Sequence, residues 1–297
     1  MIIDTVFIEK GLKATFESAY ESFPGNAYSR FFDACVTEIP STAQSEKYGW
    51  LGGFPAVREW VGDKQAGTVT DYNYSITNKD WEMTIDIDRD EIDDDQLGRL
   101  EPRIRMMAQN MKSYRGYLAA QALVAGTSGL AYDAAAFFAN RTSPNDNLLA
   151  GSGETLAYIK TDIQLARAAM QEFQDDKGQP LGLEMDTIVV PSGLEALMLE
   201  AVKSTTNPGG DGAGIYNPAN SWIKNVICLP GLSDQDDWYG MCCGMALRPI
   251  IYQNRKDVSL VLDDTQVKRN RKLIYSAESR GNVGYGFFQM AVKVVNS

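Results

Sequence analysis

One apolar stripe runs along the sequence between residues 93 and 126. Apolar residues recur there at every third or fourth position: Leu97, Leu100, Ile104, Met107, Met111, Tyr114, Leu118, Ala122 and Ala125. Because an α-helix turns once in about 3.6 residues, this spacing predicts a long helix with one apolar face. Pro102 fits best as the first residue of the main helix, which then has about 24 residues and a length of roughly 36 Å. The rest of the chain should supply the elements that cover this face.

The composition is that of a globular protein with a sizeable core. The 297 residues are 44% hydrophobic and 23% charged, which fits one large domain or two ordinary ones. No segment approaches the roughly 20 apolar residues of a membrane span, and the first ten residues do not resemble a secretory signal. We therefore expect no membrane association.

Charge and residue types restrict the chemistry. The net charge of −11 disfavours nonspecific binding to nucleic acid. The chain has no histidine, which excludes Ser-His and Cys-His nucleophiles and imidazole metal ligands. The four cysteines follow no metal or disulfide spacing, so reduced thiols in a cytosolic protein are the simplest interpretation.

The first 48 residues are interpreted as an arm. Residues 1–22 show the apolar spacing of an amphipathic helix, and residues 23–48 are predicted to be mostly extended. Three apolar residues should anchor the extended part: Phe31, Phe32 and Val36. An arm this apolar needs a partner surface, for example on another subunit.

Residues 66–92 are predicted to form one long β-hairpin, with its turn at residues 78–80. Trp81, Met83, Ile85 and Ile87 would share one apolar face. Because a two-stranded ribbon is too thin to bury such a face within itself, Trp81, Met83 and Ile85 are assigned to a contact between subunits.

The remaining chain reads as a mixture of helices and strands, so the predicted fold class is α+β. Helices are expected over 159–173 and 192–203, a buried strand over 186–191 and a long surface loop over 204–221. Further strands are expected over six segments: 223–229, 238–243, 247–253, 257–262, 266–277 and 282–294.

No motif indicates catalysis, a cofactor or a metal. The aspartates of residues 86–95 fail the calcium-loop template, because Glu91 and Leu97 stand where it needs Gly and Glu. The glycines of residues 281–286 have the reverse of the dinucleotide-binding spacing, and no helix is predicted after them. Structural interpretations are favoured for both motifs. The aspartates would form a solvated acidic edge, and the glycines would allow a close approach of the backbone.

The densest basic patch consists of Lys268, Arg269, Arg271 and Lys272. Nucleic-acid contact is one interpretation. The overall negative charge favours another, in which the patch pairs with the acidic run at 86–95 of the same or a neighbouring subunit. Lys268, Arg269 and Arg271 are therefore assigned to a contact between subunits.

The order of the parts resembles the HK97-type major capsid protein of tailed phages. Particular strings are similar to the Mu-like phage major head subunit: Tyr48 to Gly52, Phe54-Pro55, Arg58 to Asp63, Asp88 to Asp95 and Tyr275 to Met290. The resemblance implies an N-terminal arm (1–48), a packed turn segment (49–60) and an extended loop (61–92). It further implies a peripheral domain (93–154 and 265–297) and an axial domain (155–264).

The resemblance also implies a function. Hexamers and pentamers of the chain would form the icosahedral head around double-stranded DNA, without enzymatic activity, cofactor or sequence-specific DNA binding. A scaffold or maturation protease and a portal protein would be partners, and assembly would take place in the host cytoplasm. A tail-tube subunit and a hydrolase using acids of residues 86–95 remain the alternatives.

Overall fold

The computed structural model describes residues 5–49, 72–88, 97–176, 178–206, 214, 216–263 and 272–296. Within these residues the α-helices are α1 (Thr5–Ser22), α2 (Ala27–Cys35), α3 (Leu97–Val124), α4 (Leu156–Glu172), α5 (Glu195–Lys203) and α6 (Ala219–Trp222). The first strands are β1 (Val36–Pro40), β2 (Ser45–Lys47), β3 (Ser75–Thr77), β4 (Lys79–Asp88) and β5 (Leu148–Ala150). The later strands are β6 (Thr187–Val190), β7 (Asn225–Cys228), β8 (Trp238–Met241), β9 (Ile250–Asp263), β10 (Lys272–Tyr285) and β11 (Ala291–Val295).

The long helix is present and exceeds its predicted length. α3 has 28 residues, about 42 Å, and Pro102 lies inside it rather than at its start. The predicted start was wrong, because the helix continues through Pro102, its sixth residue, although proline cannot supply the N–H for one hydrogen bond there. The helix therefore extends one further turn toward its N-terminus.

The stripe of α3 is covered by two different sets of elements. Its first half, Leu100 to Met111, packs on α1, β4 and β10 in one apolar cluster. Ala119, Ala120 and Leu123 in its second half join a larger cluster that includes α2 and the strands near the C-terminus. α3 thus connects two cores.

A four-stranded sheet in the order β1-β9-β10-β4 lies against the first core. β1 runs parallel to β9, and the other pairs are antiparallel. β4 pairs with β10 over its whole length, from Lys79 opposite Gly281 to Asp88 opposite Lys272.

The predicted hairpin was wrong. Within residues 72–88, the segment before Asn78 does not pair with β4, because β3 pairs with β2 instead. β10 is the better partner for β4, since it places Ala277, Tyr275 and Leu273 beside the apolar face of β4 and completes one buried surface. Residues 66–71 and 89–92 of the predicted hairpin lie outside the described residues.

The arm is more helical than predicted. The helix over residues 5–22 is confirmed, but residues 27–35 form α2 where an extended segment was expected. The Asn26 side chain caps α2 by accepting a hydrogen bond from the backbone N–H of Ser29 at 3.1 Å. Phe31 and Val36 are buried and Phe32 is half-buried, as expected of anchors.

A five-stranded sheet in the order β5-β11-β8-β6-β7 forms the second region, with α4 and α5 packed on it. The predicted helices over 159–173 and 192–203 correspond to α4 and α5, and the predicted buried strand corresponds to β6. Part of the predicted loop is helical, as α6, and residues 207–213 and 215 of that loop are not described.

The closing strands differ from prediction at two places. Segments 247–253 and 257–262 are one strand, β9, whose polar middle carries extra residues relative to β10, as in a β-bulge. Segments 266–277 and 282–294 correspond to β10 and β11, with different boundaries. β11 inserts between β5 and β8 in the five-stranded sheet, whereas the predicted boundaries place it in the peripheral domain. β9 joins the four-stranded sheet, whereas the predicted boundaries place it in the axial domain.

Candidate assembly surfaces

The apolar face of β4 is covered within the chain. The Trp81 ring is half-buried, meets the Tyr114 ring edge-on at 5.2 Å between centroids, and donates a hydrogen bond from Nε1 to the Gly281 carbonyl at 2.9 Å. Met83 and Ile85 pack on the core between α1 and α3. The premise that this face lacks a partner within the chain was therefore wrong. A role for Trp81, Met83 and Ile85 between subunits stays a prediction without that premise.

The opposite face of the four-stranded sheet is charged. Lys272 pairs with Asp86, Arg280 with Asp80 at 3.3 Å, and Lys256 with Glu278 at 2.9 Å. Glu82 lies directly opposite Glu278 in the strand register, so two like charges meet across β4 and β10. This face carries more acidic than basic groups.

Lys272 reaches the acidic run as its charge suggested. Its ammonium group lowers the pKa of the Asp86 carboxyl below its usual range, through a hydrogen bond and direct attraction. Because a catalytic general acid needs a raised pKa, Asp86 does not suit that role. Lys268, Arg269, Arg271 and residues 89–95 lie outside the described residues.

The arm docks on the long helix at a glycine. A Cβ atom added to Gly116 would lie 2.0 Å from the carbonyl oxygen of Tyr28, so α2 crosses α3 at a point where only glycine fits. The Tyr28 hydroxyl then donates to the Pro230 carbonyl at 2.5 Å, and its ring meets Tyr117 edge-on. The helix α2 is thereby held between α3 and the segment after β7.

Arg115 of α3 ties the long helix to β1, the strand that follows α2, and to β9 through ion pairs. Its guanidinium lies 3.2 Å from Glu38 of β1 and 3.5 Å from Asp257 of β9, and it packs over the Tyr252 ring. Its side chain is only 15% exposed, so the pairing with Glu38 is partly shielded from water. The expected need of the arm for another subunit is thus met in part by its own chain.

Sequence reasoning passed over both residues. An isolated glycine inside a strong helical pattern is a recognised sign of close packing, and Gly116 provided that sign. Arg115 gave none, because its partners are 77 and 142 residues away in the chain.

Several large apolar side chains remain exposed. The most exposed are Met106, Tyr216, Leu130, Leu165 and Tyr158. Tyr158 and Leu165 lie seven residues apart on the outer side of α4, where helical periodicity places them on one face. Exposed apolar patches of this kind are typical of surfaces that bind other proteins.

Within the part of the chain that the structure describes, one group of carboxylates comes close together. Oxygen atoms of Asp234, Asp236 and Asp237 lie within 4.8 Å of one another. Their mutual hydrogen bond lowers the pKa of Asp234 and raises that of Asp236, while Lys293 pairs with the buried Asp237 at 2.6 Å. Lys293 compensates the buried carboxylate of Asp237, so the group forms a network of hydrogen bonds and one ion pair.

No helix among the described residues is both long and apolar enough to cross a membrane.

The comparison with protein families gives a match over nearly the whole chain. The model described as "Mu-like prophage major head subunit gpT" matches residues 7–154, 147–229 and 224–297. The chain is 27% identical to the Mu-like prophage FluMu major head subunit of Haemophilus influenzae over 260 residues, and 27% identical to the major capsid protein of Escherichia phage Mu over 261 residues. Each alignment covers 86% of this chain and 63% of the relative, so the chain spans less than two thirds of their length.

Solved structures support the same fold. A chain of the procapsid of bacteriophage JBD30 is 25% identical, with a TM-score of 0.57 over 99% of this chain and 77% of that one. A chain of a virus-like particle from Pyrococcus furiosus has a TM-score of 0.58 over 96% of this chain and 98% of that one. At 10% identity the second likeness concerns the fold alone. The chain has the HK97-like major capsid fold.

Proposed function

Because the chain belongs to the family of Mu-like prophage major head subunits, we propose that it is the shell-forming subunit of a tailed-phage head. Hexamers and pentamers of the chain close into an icosahedral shell around double-stranded DNA. The observation that carries the proposal is the family match from residue 7 to residue 297, together with a fold that phage capsid proteins share.

The surfaces of the subunit are consistent with such a role. The described part of the arm and the strand β4 are fixed on the body of the chain, which gives a pre-formed building block. Exposed apolar residues such as Tyr158 and Leu165 remain available for contacts between copies. Closed shells need such contacts to be repeated around symmetry axes.

The partners follow from the same proposal. A scaffold or a maturation protease acts during assembly in the host cytoplasm, a portal protein occupies one vertex, and the finished shell belongs to the virion. The packaged DNA is enclosed without sequence-specific binding. A net charge of −11 also disfavours nonspecific adhesion of the DNA phosphate backbone to the subunit.

The domain division is proposed in a modified form. The axial region keeps α4, α5 and β6–β8 and gains β5 and β11, while β9 joins β10, β4 and α3 in the peripheral region. The arm remains at residues 1–48. The packed segment at 49–60 and the extended loop at 61–92 are retained, although β4 now belongs to the peripheral sheet.

The test is assembly itself. The purified chain, alone and co-expressed with its own phage's head proteins, should give capsomers or closed particles in size-exclusion chromatography with light scattering and in negative-stain images. Open tubes would point to the tail-tube alternative. A monomer under every condition, with co-expressed head proteins present, would contradict the proposal.

No observation favours an enzyme. The family consists of structural head subunits. Asp86, the first acid of the 86–95 run, is paired with Lys272.

A further inference from the structure

A groove of about 410 Å³ opens beside the first residues of β4. Its walls come from the paired ends of β4 and β10 and from the middle of β9. Six of the side chains that line it carry a charge or an aromatic ring: Asp80, Trp81, Glu82, Lys256, Glu278 and Arg280. Because Trp81 is only half-buried against Tyr114, its ring is also available to a partner in the groove. An aromatic ring beside carboxylates favours an organic cation.

The groove carries one excess negative charge, since three carboxylates and two cations line it. Arg280 pairs with Asp80 at 3.3 Å, and Lys256 pairs with Glu278 at 2.9 Å. Among the described residues no cation pairs with Glu82, which lies directly opposite Glu278 in the strand register. Because like charges across a strand pair repel each other, a third cation here would relieve the repulsion. The groove therefore fits a single basic side chain.

We propose that this groove binds an arginine from the basic segment 268–271 of a second copy of the chain. The inference rests on the proposed function, because it names one contact by which copies assemble. The segment contains Arg269 and Arg271 and is part of the densest basic patch of the sequence. The arginine guanidinium lies over the Trp81 ring and pairs with Glu82. Trp81 thereby contacts a neighbouring subunit with the part of its ring that its own chain leaves uncovered.

The arginines of the same copy are too far away to fill the groove. From Lys272 to Glu278 β10 runs six residues, about 20 Å at roughly 3.3 Å per residue. Arg269 precedes Lys272 by three residues, so its Cα lies at most about 11 Å from that of Lys272. The remaining distance of roughly 9 Å exceeds the length of an arginine side chain, and Arg271 is tied still closer to Lys272. The arginine must therefore come from another copy.

Charge exchange tests the contact. Glu82→Arg should lower the yield of oligomers at least about tenfold, because an arginine then faces an arginine. The paired change Arg269→Glu with Arg271→Glu should have the same effect, and a chain that carries all three changes should regain assembly. Glu200→Arg, on the exposed side of α5, is the control for an equal change of charge and should leave the yield near that of the wild type.

Glu82→Gln separates this contact from the stability of the fold. It removes the repulsion from Glu278, so the unassembled subunit should melt at the same temperature or slightly higher, while the yield of oligomers should fall. Thermal unfolding of every variant as an unassembled subunit distinguishes a folding defect from an assembly defect. Unchanged assembly in both Glu82→Gln and Glu82→Arg would overturn the proposal.

Cross-linking identifies the partner segment. A chain with Glu82→Cys and a chain with Arg269→Cys are co-expressed with the head proteins, and the oligomers are treated with a short bis-maleimide. Since each chain carries one of the two changes, a link between positions 82 and 269 joins two copies. Mass spectrometry of the digested protein should find this link, and wild-type oligomers treated in the same way account for links through the native cysteines.

The doubly substituted chain, Glu82→Cys with Arg269→Cys, measures contact within one copy. As an unassembled subunit it should show no link between the two positions, and such a link would overturn the assignment to a second copy. Oligomers that lack the link and ignore the charge exchange would overturn this contact and leave the proposed function standing. A monomer by light scattering under every condition would overturn both.

Discussion

The two sheets of the molecule bury their strands in different ways. In the five-stranded sheet every residue of β6 and β8 is buried, with neighbours on both faces. In the four-stranded sheet β4 and β10 alternate, with one face on α1 and α3 and the other exposed and charged. The five-stranded sheet is thus buried on both faces, while the four-stranded sheet is buried on one face only. The same side-chain change should therefore cost far more in the first sheet.

The largest expected effect lies in the five-stranded sheet. Trp238 is fully buried, so Trp238→Ala should lower the free energy of unfolding by about 3–5 kcal/mol, measured by chemical denaturation. Trp222, half-buried beside Arg167, is the matched control and should cost about 1 kcal/mol on replacement by alanine. Equal losses for the two tryptophans would show that the depth of burial does not set the cost in this region.

The crossing of α2 and α3 should be nearly as sensitive. Gly116→Ala places a Cβ against the Tyr28 backbone and should cost about 1–3 kcal/mol, with faster proteolysis at Arg30 in α2. Gly11→Ala is the control, because nothing lies within 4 Å of the added atom and alanine favours a helix by about 0.5–1 kcal/mol. A stabilising Gly116→Ala would mean that the helices do not cross as described.

Trp81 tests how much stability the buried face of the four-stranded sheet contributes. Since its ring is half-buried against Tyr114, Trp81→Ala should cost the unassembled subunit about 1–2 kcal/mol. Trp81→Phe keeps the ring contact but loses the hydrogen bond to Gly281, and should cost less. An unchanged midpoint for both variants would restore the view that Trp81 is buried only on assembly.

The charged face should respond weakly and in the opposite direction. Glu82→Gln removes one of two facing carboxylates and should stabilise the chain by about 0.2–1 kcal/mol at low salt, and by less at high salt. Glu278→Gln is the contrast, because it also removes the pair with Lys256. A destabilised Glu82→Gln would show that this carboxylate has a favourable partner.

The smallest effect is expected from a chelator. Lys293 already pairs with Asp237, so EDTA should leave the thermal midpoint unchanged. Asp236→Asn provides the reference for losing one charge of the group. A drop of more than about 4 °C with EDTA would indicate a bound cation that stabilises the fold.

The same contrast explains what sequence reasoning predicted. α3, α4 and β6 carry their own signal, because periodicity or a continuous apolar run is a property of the segment itself. The partner of β4 carries no such signal. The apolar face of β4 fits any apolar strand face, and its residues are Trp81, Met83, Ile85 and Ile87. Pairing with a nearby segment closes a shorter loop and loses less chain entropy. The distant β10 is preferred because its own apolar residues complete the surface against α1 and α3.

The surfaces were predicted least well. α2 was missed because its two phenylalanines read equally as anchors of an extended segment, although Asn26 has the side chain of a helix N-cap. The pairing of Lys272 with Asp86 followed from charge alone, but Arg115 meets partners that only the folded chain brings together.

The position of β11 also sets a delay between the synthesis of β8 and the completion of its sheet. It lies between β5 and β8, yet the ribosome makes it about 50 residues after β8 is complete. At roughly 5–20 residues per second, that gap lasts about 3–10 s. During this interval β8 presents an unpaired edge on the side where β11 will insert. A nascent subunit therefore spends several seconds vulnerable to wrong strand pairing, and dense polysomes of this message would place many such edges side by side.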